Sequence, residues 1–354
     1  MNLRPTENAC QIGSNPSALE SLLAYGLPPD LIATTPANPR DSARLLLVQK
    51  GSQVVQDYKV KDLPSLLSPK DLLIFNNSKV IPARIICSQN RSELLFLEET
   101  SPGWWTALGT PAKRLTAGTG LIPDPLDGPR LGGPLLRVEK TIPGGQLVVR
   151  SLVEKFDLQA FGRPPLPPYI LKSRKARGQP DVDPADFSSY QTTYAKIPGS
   201  VAAPTAGLHF TPEMLAQLNH AFVTLHVGLG TFRPIKTADF RDHPMHEEKY
   251  EIGPGLEEKM SAAQRIIAVG TTSARVLESA PNLRPHAGAT SAFIYPPYQF
   301  KLVQGLLTNF HLPHSTLLLL VAAFAGPELA LRAYEHAIRE KYRFYSYGDA
   351  MLIL

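Results

Sequence analysis

The chain has 354 residues, of which 43% are hydrophobic and 19% are charged, and its formal net charge is +5 at pH 7. This composition excludes a disordered chain, and the length suggests about two domains. The longest apolar run, 317–325, is shorter than the roughly 18 residues of a membrane-spanning helix. The sequence shows no export signal and only two cysteines, Cys10 and Cys87, so we expect a reduced, cytoplasmic protein.

Strand patterns dominate the first half of the chain. The segment DLLIFNNSKVIPARII (71–86) predicts two strands joined by a tight turn at Asn76-Asn77, because asparagine tolerates the left-handed conformation of such turns. Further alternating patterns, separated by Gly and Pro, lie at 93–97, 104–108, 135–142 and 146–153. Short strands at this spacing predict a small antiparallel β-barrel or sandwich at 70–155, with a Pro/Gly-rich loop at 121–133.

The positive charge is concentrated in this middle region. Residues 71–175 contain fourteen Lys and Arg but nine Asp and Glu. A local basic excess is compatible with a polyanionic partner such as nucleic acid. A solvated surface of mixed charge would give the same count, so charge alone does not decide between the two.

Strand and helix patterns alternate in the second half. Thr211-Pro212 predicts a capped helix that continues to Ala221. Strands are predicted at 223–227, 265–269 and 293–295, and helices at 274–279, 316–325 and 327–342. Before them, 172–186 is polar, which predicts an exposed and flexible segment. This alternation predicts a larger, layered α/β domain, made of 1–69 and 156–354, into which the barrel is inserted.

Several loops of the second half contain candidate site residues. Two predicted strands end in Gly/Thr turns, at 226–232 and 269–273, and ligands bind at the ends of strands in α/β sheets. All histidines lie at or after His209, which places acid/base chemistry in this half. His243, His246 and Glu247 raise the possibility of a metal-dependent hydrolase, but the proline between the histidines and the absence of HExxH argue against it.

Together, these segments resemble the S-adenosylmethionine:tRNA ribosyltransferase-isomerase family of the queuosine pathway. The matching strings span most of the chain in the order of the family. They are DLLIFNNSKVIPAR (71–84), PLPPYI (165–170), YQTTYAKIPGSVAAPTAGLHF (190–210), HVGLGTF (226–232), the His243/His246 element, AVGTTSARVLES (268–279), TNFHLPHSTLLLLVAAFAG (308–326) and YRFYSYGDAMLI (342–353).

The resemblance implies a specific reaction. The ribosyl part of S-adenosylmethionine, a co-substrate and not a prosthetic group, would be transferred to 7-aminomethyl-7-deazaguanine at the wobble position of tRNA and isomerised. The product would be epoxyqueuosine, with release of adenine and methionine. No metal, membrane or obligate protein partner is expected. The alternative is a non-catalytic tRNA-binding protein of the same fold.

The resemblance also implies three sets of site residues. Acid/base candidates are His209, His226, His246 and His311, with Asp349 or Glu278 orienting an imidazole or binding a ribose hydroxyl. Contacts to S-adenosylmethionine are expected from Gly228, Gly230, Thr231, Gly270, Thr271 and Thr272, with Glu278 beside them. Contacts to tRNA phosphates are expected from Lys79, Arg84, Lys113 and Arg114.

Overall fold

The computed structural model describes residues 16–129, 131–142, 145–181, 183–228, 230, 235–237, 239–280 and 282–354. The strands are β1 (Arg44–Gln49), β2 (Val54–Lys59), β3 (Asp71–Asn76), β4 (Ser78–Val80), β5 (Arg84–Cys87), β6 (Ser92–Ser101), β7 (Trp104–Thr110), β8 (Gly120–Leu121), β9 (Leu136–Ile142), β10 (Gln146–Ser151), β11 (Gly162–Arg163), β12 (Ile197–Ser200), β13 (His220–Leu225), β14 (Glu248–Ile252), β15 (Arg265–Val269), β16 (His286–Thr290), β17 (Gly305–Asn309) and β18 (Ala350–Ile353). The α-helices are α1 (Pro16–Leu23), α2 (Leu63–Leu66), α3 (Leu158–Phe161), α4 (Pro168–Ala176), α5 (Asp186–Ser189), α6 (Pro212–Ala216), α7 (Leu256–Ala262), α8 (Thr271–Ser279), α9 (Thr316–Ala325) and α10 (Pro327–Arg339).

Nine strands form a mixed sheet in the order β16-β14-β13-β3-β15-β17-β18-β1-β2. The neighbours β13, β3, β15 and β17 are parallel to one another. β18 is antiparallel to β17, and β1 is parallel to β18. The carboxyl ends of the four parallel strands therefore meet at one edge of the sheet.

Both faces of the central strands β3, β15, β17 and β18 are buried, which explains why these strands are largely apolar. Along β3, Leu72 and Ile74 belong to the core that contains α9 and α10. Leu73 and Phe75 point to the opposite face, where the ring of Phe75 meets that of Phe210 edge-on, with centroids 4.8 Å apart. The two-residue period of a strand thus divides one apolar run between two cores.

A second sheet is antiparallel throughout, in the order β11-β5-β6-β7-β10-β9-β8. One face encloses an apolar core in which the rings of Phe96 and Trp105 stack at 5.0 Å. The chain after β8 approaches β5, because the backbone N–H of Asp124 donates to the carbonyl of Ile86 at 2.8 Å. The protein is a mixed α/β fold with a curled antiparallel half-barrel, which confirms the predicted fold class in outline.

Sheet membership changes at positions other than 70 and 155. β3 belongs to the nine-stranded sheet and β11 belongs to the half-barrel. The chain leaves the large sheet after Asn76 and returns to it at His220. Between the two sheets, β4 and β12 form a separate parallel pair.

The predicted tight turn at Asn76-Asn77 is wrong. β3 and β4 do not pair with each other, and neither asparagine has a positive φ. Asn76 is fully buried, and its side-chain amide donates to the carbonyl of Leu225 at 2.9 Å and accepts the N–H of Leu225 at 3.0 Å. β3 ends at Asn76 and cannot pair with the last residue of β13. The side-chain amide of Asn76 therefore takes the place of a neighbouring strand for the backbone N–H and carbonyl of Leu225.

The helix prediction at Thr211 is correct at its start and wrong at its end. The hydroxyl of Thr211 accepts the backbone N–H of Met214 at 3.2 Å, and Pro212 is the first helical residue. The helix ends at Ala216, because the residues from His220 onward alternate between the faces of the sheet.

Some strands escape prediction from composition and periodicity. No strand forms at 293–295, whereas β14, β16 and β17 are strands without a strong pattern of their own. Each lies in the large sheet and is defined by its pairing partners. Pairing between distant segments, not local propensity, determines these elements.

The segment 172–186 is more ordered than its polar composition predicts. α4 continues to Ala176, and Arg174 forms a bidentate ion pair with Asp186 at 2.6 and 2.7 Å. Both side chains are buried. A planar guanidinium is well suited to this two-point contact, which fixes α4 against α5.

Within the described residues, no single helix has the length and apolar composition needed to cross a membrane. α9 and α10 reach that length only together, and they are bent by 115° at the break between them.

We predict that Asn76→Ala will lower the free energy of unfolding by about 3 kcal/mol, because it leaves buried backbone groups of β13 without partners. Urea denaturation will measure the change. Asn77→Ala is the matched control, since Asn77 is half-buried and its side-chain oxygen accepts a hydroxyl, that of Thr224 at 2.7 Å, and not a backbone N–H of β13 among the described residues. Equal effects of the two substitutions would contradict a special role for Asn76.

Candidate functional site

A cleft of about 720 Å³ lies between the half-barrel and the large sheet. One wall is formed by residues of β6 and β7, including Glu98, Glu99 and Thr106. The opposite wall consists of β12, the segment after β13 and the start of β14. A volume in the range of small-molecule sites, between two structural units, makes this cleft the best candidate for the functional site.

The cleft lies beside the carboxyl edge of the parallel strands. Asn76, Val269 and Asn309 end three of these strands, and β13 runs directly into His226. The segment 190–210 crosses the same edge, because His209 is in contact with Asn309. The sequence prediction that candidate residues collect at this edge agrees with the topology.

Gly228 and Glu248 form part of the floor of the cleft. The backbone N–H of Gly228 donates to Glu248 Oε1 at 2.8 Å. Glu248 Oε2 is paired with the guanidinium of Arg275, and both side chains are buried. Arg275 also donates to the carbonyl of Ala292 at 3.0 Å. The turn after β13 is therefore held by a charged network that reaches α8.

Neither Glu248 nor Arg275 is a site residue in the sequence prediction. Arg275 lies inside the AVGTTSARVLES string, and Glu248 follows the His243/His246 element by two positions. The family resemblance therefore marked the position of Arg275, and Glu248 lies just outside the marked segments. Their pairing could not be inferred, because it depends on a contact across 27 residues.

His226 lines the cleft and is half-buried. Burial lowers its pKa, and Glu251 opposes this only in part. Its Nδ1 is buried and has no hydrogen-bond partner among the described residues. A Cβ on Gly199 would come within 2.7 Å of that nitrogen, so glycine is needed for the imidazole to lie where it does. His226 is therefore a neutral imidazole at pH 7 that is positioned at the cleft.

His246 lies on the same side of the cleft. A Cβ on Gly230 would come within 2.2 Å of its ring, so the backbone at Gly230 and the imidazole are in close contact. The cleft thus brings together four of the predicted residues, Gly228, Gly230, His226 and His246. Thr231, predicted with them, lies outside the described residues.

His209 is buried and does not line the cleft. The side-chain amide of Asn309 donates to its Nε2 at 3.2 Å and to the carbonyl of Asp349 at 3.4 Å. Burial, together with Arg343 and Arg40, lowers the pKa of His209 to about 3. Its imidazole is therefore neutral near pH 7 and accepts a hydrogen bond at Nε2.

His311 is placed in the core and not at the cleft. Its Nε2 is 2.9 Å from the hydroxyl of Thr308, and its backbone N–H donates to the hydroxyl of Tyr334 at 3.0 Å. Burial lowers its pKa to about 3. The carbonyl of His311 accepts the hydroxyl of Tyr25 at 2.5 Å. These contacts give His311 a structural role, contrary to its prediction as an acid or base.

The carboxylate of Asp349 is also occupied by structural contacts. It accepts the backbone N–H of Arg343 at 2.8 Å and that of Arg44 at 3.1 Å, and it pairs with the guanidinium of Arg343 at 3.3 Å. Asp349 is buried and fixes the chain at the start of β18. It does not orient an imidazole through its carboxylate, which corrects its predicted role.

The second Gly/Thr turn lies behind the first. Gly270 has a φ of +89° and precedes α8, where Thr271 and Thr272 are buried. Thr272 Oγ1 is 3.5 Å from the amide nitrogen of Asn76. None of these three residues lines the cleft. In the structure these residues pack behind the carboxyl ends of the parallel strands, and Thr272 contacts the end of β3 at Asn76.

Glu278 lies at the far end of α8. Its carboxylate accepts the backbone N–H groups of Lys301, Leu302 and Val303 at 2.8 to 3.0 Å. Glu278 does not line the cleft. These contacts fix the segment before β17. They explain why an acidic residue is present at position 278 without any contact to a ligand.

The four predicted phosphate contacts differ in exposure. Lys79, Lys113 and Arg114 are exposed. Arg84 is only 6% exposed and its guanidinium pairs with Glu93 at 2.8 Å. A buried, paired arginine cannot reach a phosphate backbone on the surface, so the prediction for Arg84 is wrong.

Acidic side chains outnumber basic ones along the cleft. Glu98, Glu99, Glu247 and Glu248 line it together with Lys249. Lys249 Nζ pairs with Glu98 Oε1 at 2.5 Å and so connects β14 to the half-barrel. The remaining negative charge favours a cationic ligand.

No three His, Cys, Asp or Glu side chains are grouped to hold a metal ion in the part of the chain that the structure describes. The ring of His243 lies 6.1 Å from that of Phe293, between centroids.

We predict that the stability of the protein will fall as the pH is lowered from 7 to 5. In this range an unfolded chain with ordinary histidines binds protons that the buried His209 and His311 do not. Each should contribute about 2 kcal/mol to the loss. Urea denaturation of His209→Gln and His311→Gln at both pH values should show a smaller loss than the wild type. An unchanged pH dependence in both variants would contradict the neutral, buried state.

Comparison with known proteins agrees with this structure. The family described as queuosine biosynthesis protein matches residues 20–353. A relative from Nostoc sp. named S-adenosylmethionine:tRNA ribosyltransferase-isomerase is 44% identical over 100% of this chain and 96% of its own length. The enzyme of the same name from Acaryochloris marina is 45% identical, over 97% of this chain and 96% of its own length.

A solved structure leads to the same family. The crystal structure of S-adenosylmethionine tRNA ribosyltransferase from Thermotoga maritima matches 94% of this chain and 100% of its own chain, with a TM-score of 0.52 and 33% identity. Sequence and fold therefore agree over nearly the whole chain. The chain belongs to the queuosine biosynthesis protein family, whose curated members are transferase-isomerase enzymes.

Proposed function

We propose that the protein transfers the ribosyl part of S-adenosylmethionine to 7-aminomethyl-7-deazaguanine at the wobble position of tRNA and isomerises it, giving epoxyqueuosine with release of adenine and methionine. The observation that carries this proposal is the acidic cleft with two imidazoles at the carboxyl edge of the sheet. The names of the relatives supply the co-substrate and the tRNA. We also propose that the protein acts in the cytoplasm, because its proposed substrate is a tRNA.

The charge of the cleft suits this co-substrate. S-adenosylmethionine carries a positive sulfonium, and the aminomethyl group of the acceptor base is an ammonium ion at neutral pH. Glu99 and Glu247 line the cleft and can attract both cations. An ammonium ion has no lone pair, so one of these carboxylates must also accept a proton from it before the amine can form the new C–N bond.

The chemistry requires a base near the 5′ carbon of the sugar. The sulfonium acidifies that carbon, so a neutral imidazole is a sufficient base. His226 has the required protonation state, because burial lowers its pKa. We assign His226 to proton abstraction and His246, across the same turn, to hydrogen bonding with the departing adenine. The sulfur then leaves as neutral methionine when a sugar oxygen closes the epoxide.

The half-barrel is the proposed tRNA-binding unit. The predicted division into 70–155 and 1–69 with 156–354 is kept in outline, except that β3 stays with the large, catalytic unit and β11 joins the half-barrel. Lys79, Lys113 and Arg114 are exposed cations in or beside this region. They can contact phosphates and so fix the position of the tRNA without reading its sequence.

Incubation with S-adenosylmethionine and tRNA that carries 7-aminomethyl-7-deazaguanine tests the proposal. Mass spectrometry should detect free adenine and epoxyqueuosine in the digested tRNA. Binding of the tRNA without adenine release would instead support the alternative, a non-catalytic tRNA-binding protein. Absence of both binding and adenine would contradict both functions.

We predict that His226→Gln will lower kcat by about 10² to 10⁴, the range typical of a lost general base, with little change in the Kd of S-adenosylmethionine. Single-turnover adenine release will measure the chemical step. His220→Gln is the matched control, because His220 begins β13 and its Nδ1 lies 2.8 Å from the carbonyl of Leu218, outside the cleft. A chemical step of normal rate in His226→Gln would remove it as the base.

We predict that the double variant Lys113→Ala/Arg114→Ala will weaken tRNA binding and reduce the slope of log K against log salt by about 1 to 2, since each lost phosphate contact removes about 0.9. Fluorescence titration at several salt concentrations will measure the slope. Lys301→Ala, an exposed change in the other unit, is the control. An unchanged slope in the double variant would exclude these contacts.

A further inference from the structure

A second cavity, of about 240 Å³, lies beside the large cleft. The same two strands line both. The small cavity is lined by the start of β6 and the end of β7, at Glu93, Leu95, Leu108 and Thr110. The large cleft is lined by the end of β6 and the start of β7. Val201 borders both. The two spaces are therefore neighbours along one hairpin, as the sites for two substrates that react with each other must be.

The small cavity combines apolar walls with one charged pair. Leu95 and Leu108 form a cross-strand pair on one side, and the segment 165–168 with Leu171 lies on the other. Flat apolar surfaces on two sides suit a planar ring system.

The charged pair is Arg84 and Glu93, and a second carboxylate, that of Asp181, lies 3.9 Å from the same guanidinium. Arg84 is 6% exposed, and its Nε has no hydrogen-bond partner among the described residues. Glu93 is 39% exposed through its side chain and pairs with the guanidinium at 2.8 Å. That Nε is closed off from solvent. The wall of the cavity therefore presents the carboxylate of Glu93, which solvent reaches, beside the rest of the Arg84 guanidinium.

We infer that this cavity binds the acceptor base of the tRNA, turned out of its loop, as a guanine-like fused ring. The Glu93 carboxylate accepts hydrogen bonds from the ring N1–H and the exocyclic amine, and Arg84 donates to the ring oxygen. Carboxylates accept from N–H donors of bases, and arginine donates to the guanine oxygen. The edge that bears the aminomethyl group then remains free to reach the large cleft past Val201.

This inference rests on the proposed function, and it gives the second substrate a site of its own. A volume of about 240 Å³ is below that of sites for drug-sized ligands, roughly 300 to 1,000 Å³. It is suited to a base without its sugar and phosphate. The larger cleft is left for S-adenosylmethionine.

The test compares two anticodon stem-loops that differ only at the wobble position. One carries 7-aminomethyl-7-deazaguanine and the other has an abasic site. The wild type should bind the first at least about ten times more tightly, as expected for one well-placed pair of base contacts. In Glu93→Gln the ratio should fall to about threefold or less, because an amide also presents an N–H to the donors of the base.

A second variant tests the cavity without breaking the ion pair. Leu108→Trp fills the space and should abolish the difference between the two stem-loops, whereas the Kd of S-adenosylmethionine remains within about twofold. Glu139→Gln is the matched control, because Glu139 forms a similar ion pair with Arg150 at 2.9 Å in the half-barrel, away from both cavities. Thermal denaturation will confirm that each variant is folded.

The outcomes separate the two claims. Equal binding of both stem-loops by the wild type, or an unchanged ratio in Glu93→Gln and Leu108→Trp, would overturn the inferred base site and leave the proposed function intact. Failure of the wild type to bind either stem-loop would instead overturn the proposed function, and the base site with it.

Discussion

The buried pair of Glu248 and Arg275 is the interaction on which the site depends. One oxygen of Glu248 holds the backbone N–H of Gly228, and the other pairs with Arg275 on α8. Arg275 in turn binds the carbonyl of Ala292. Removing two charges from water costs free energy. A buried ion pair is therefore tolerated only when the remaining donors and acceptors of both side chains also form hydrogen bonds. Here that capacity is used to fix the turn that follows His226 and that His246 contacts at Gly230.

The two cavities follow from the way the sheets meet. The outer face of the β6–β7 hairpin is turned toward the large sheet, and the bulges in β6 change the direction of its side chains along the strand. The same hairpin therefore presents Glu93 to one cavity and Glu98 to the other. The parallel strands contribute their carboxyl ends, and Asn76 allows the chain to leave the sheet at that edge without an unpaired amide. In the proposed reaction, the aminomethyl group, once it has lost a proton, meets the sugar of S-adenosylmethionine where both spaces border Val201.

Local sequence predicts much of the fold, because two-residue and 3.6-residue periods are local. The apolar run of β3, the cap at Thr211 and the buried α9 could be identified without tertiary information. The Asn76-Asn77 turn could not be recognised as wrong, since asparagine serves equally as a turn residue and as a side-chain substitute for a backbone partner. Only the contact with Leu225, 149 residues away, distinguishes the two.

The site was predicted less completely, and the reason is physical. A histidine or aspartate in a strongly patterned segment has the same sequence signature whether it contacts substrate or core. The backbone of His311 donates to Tyr334, and the carboxylate of Asp349 accepts from the backbone of Arg44 and Arg343. These contacts form only in the folded chain, so the sequence does not show them. The sequence predicts Arg84 as a surface cation, and only the structure shows that it is buried and paired with Glu93.

The most direct measurement is the crystal structure of the protein with S-adenosylmethionine bound. We predict that the ligand lies in the large cleft, with its sulfonium beside the glutamates of β6 and its 5′ carbon near the imidazole of His226. Density for the ligand outside this cleft, or with the 5′ carbon remote from both His226 and His246, would contradict the proposed mechanism.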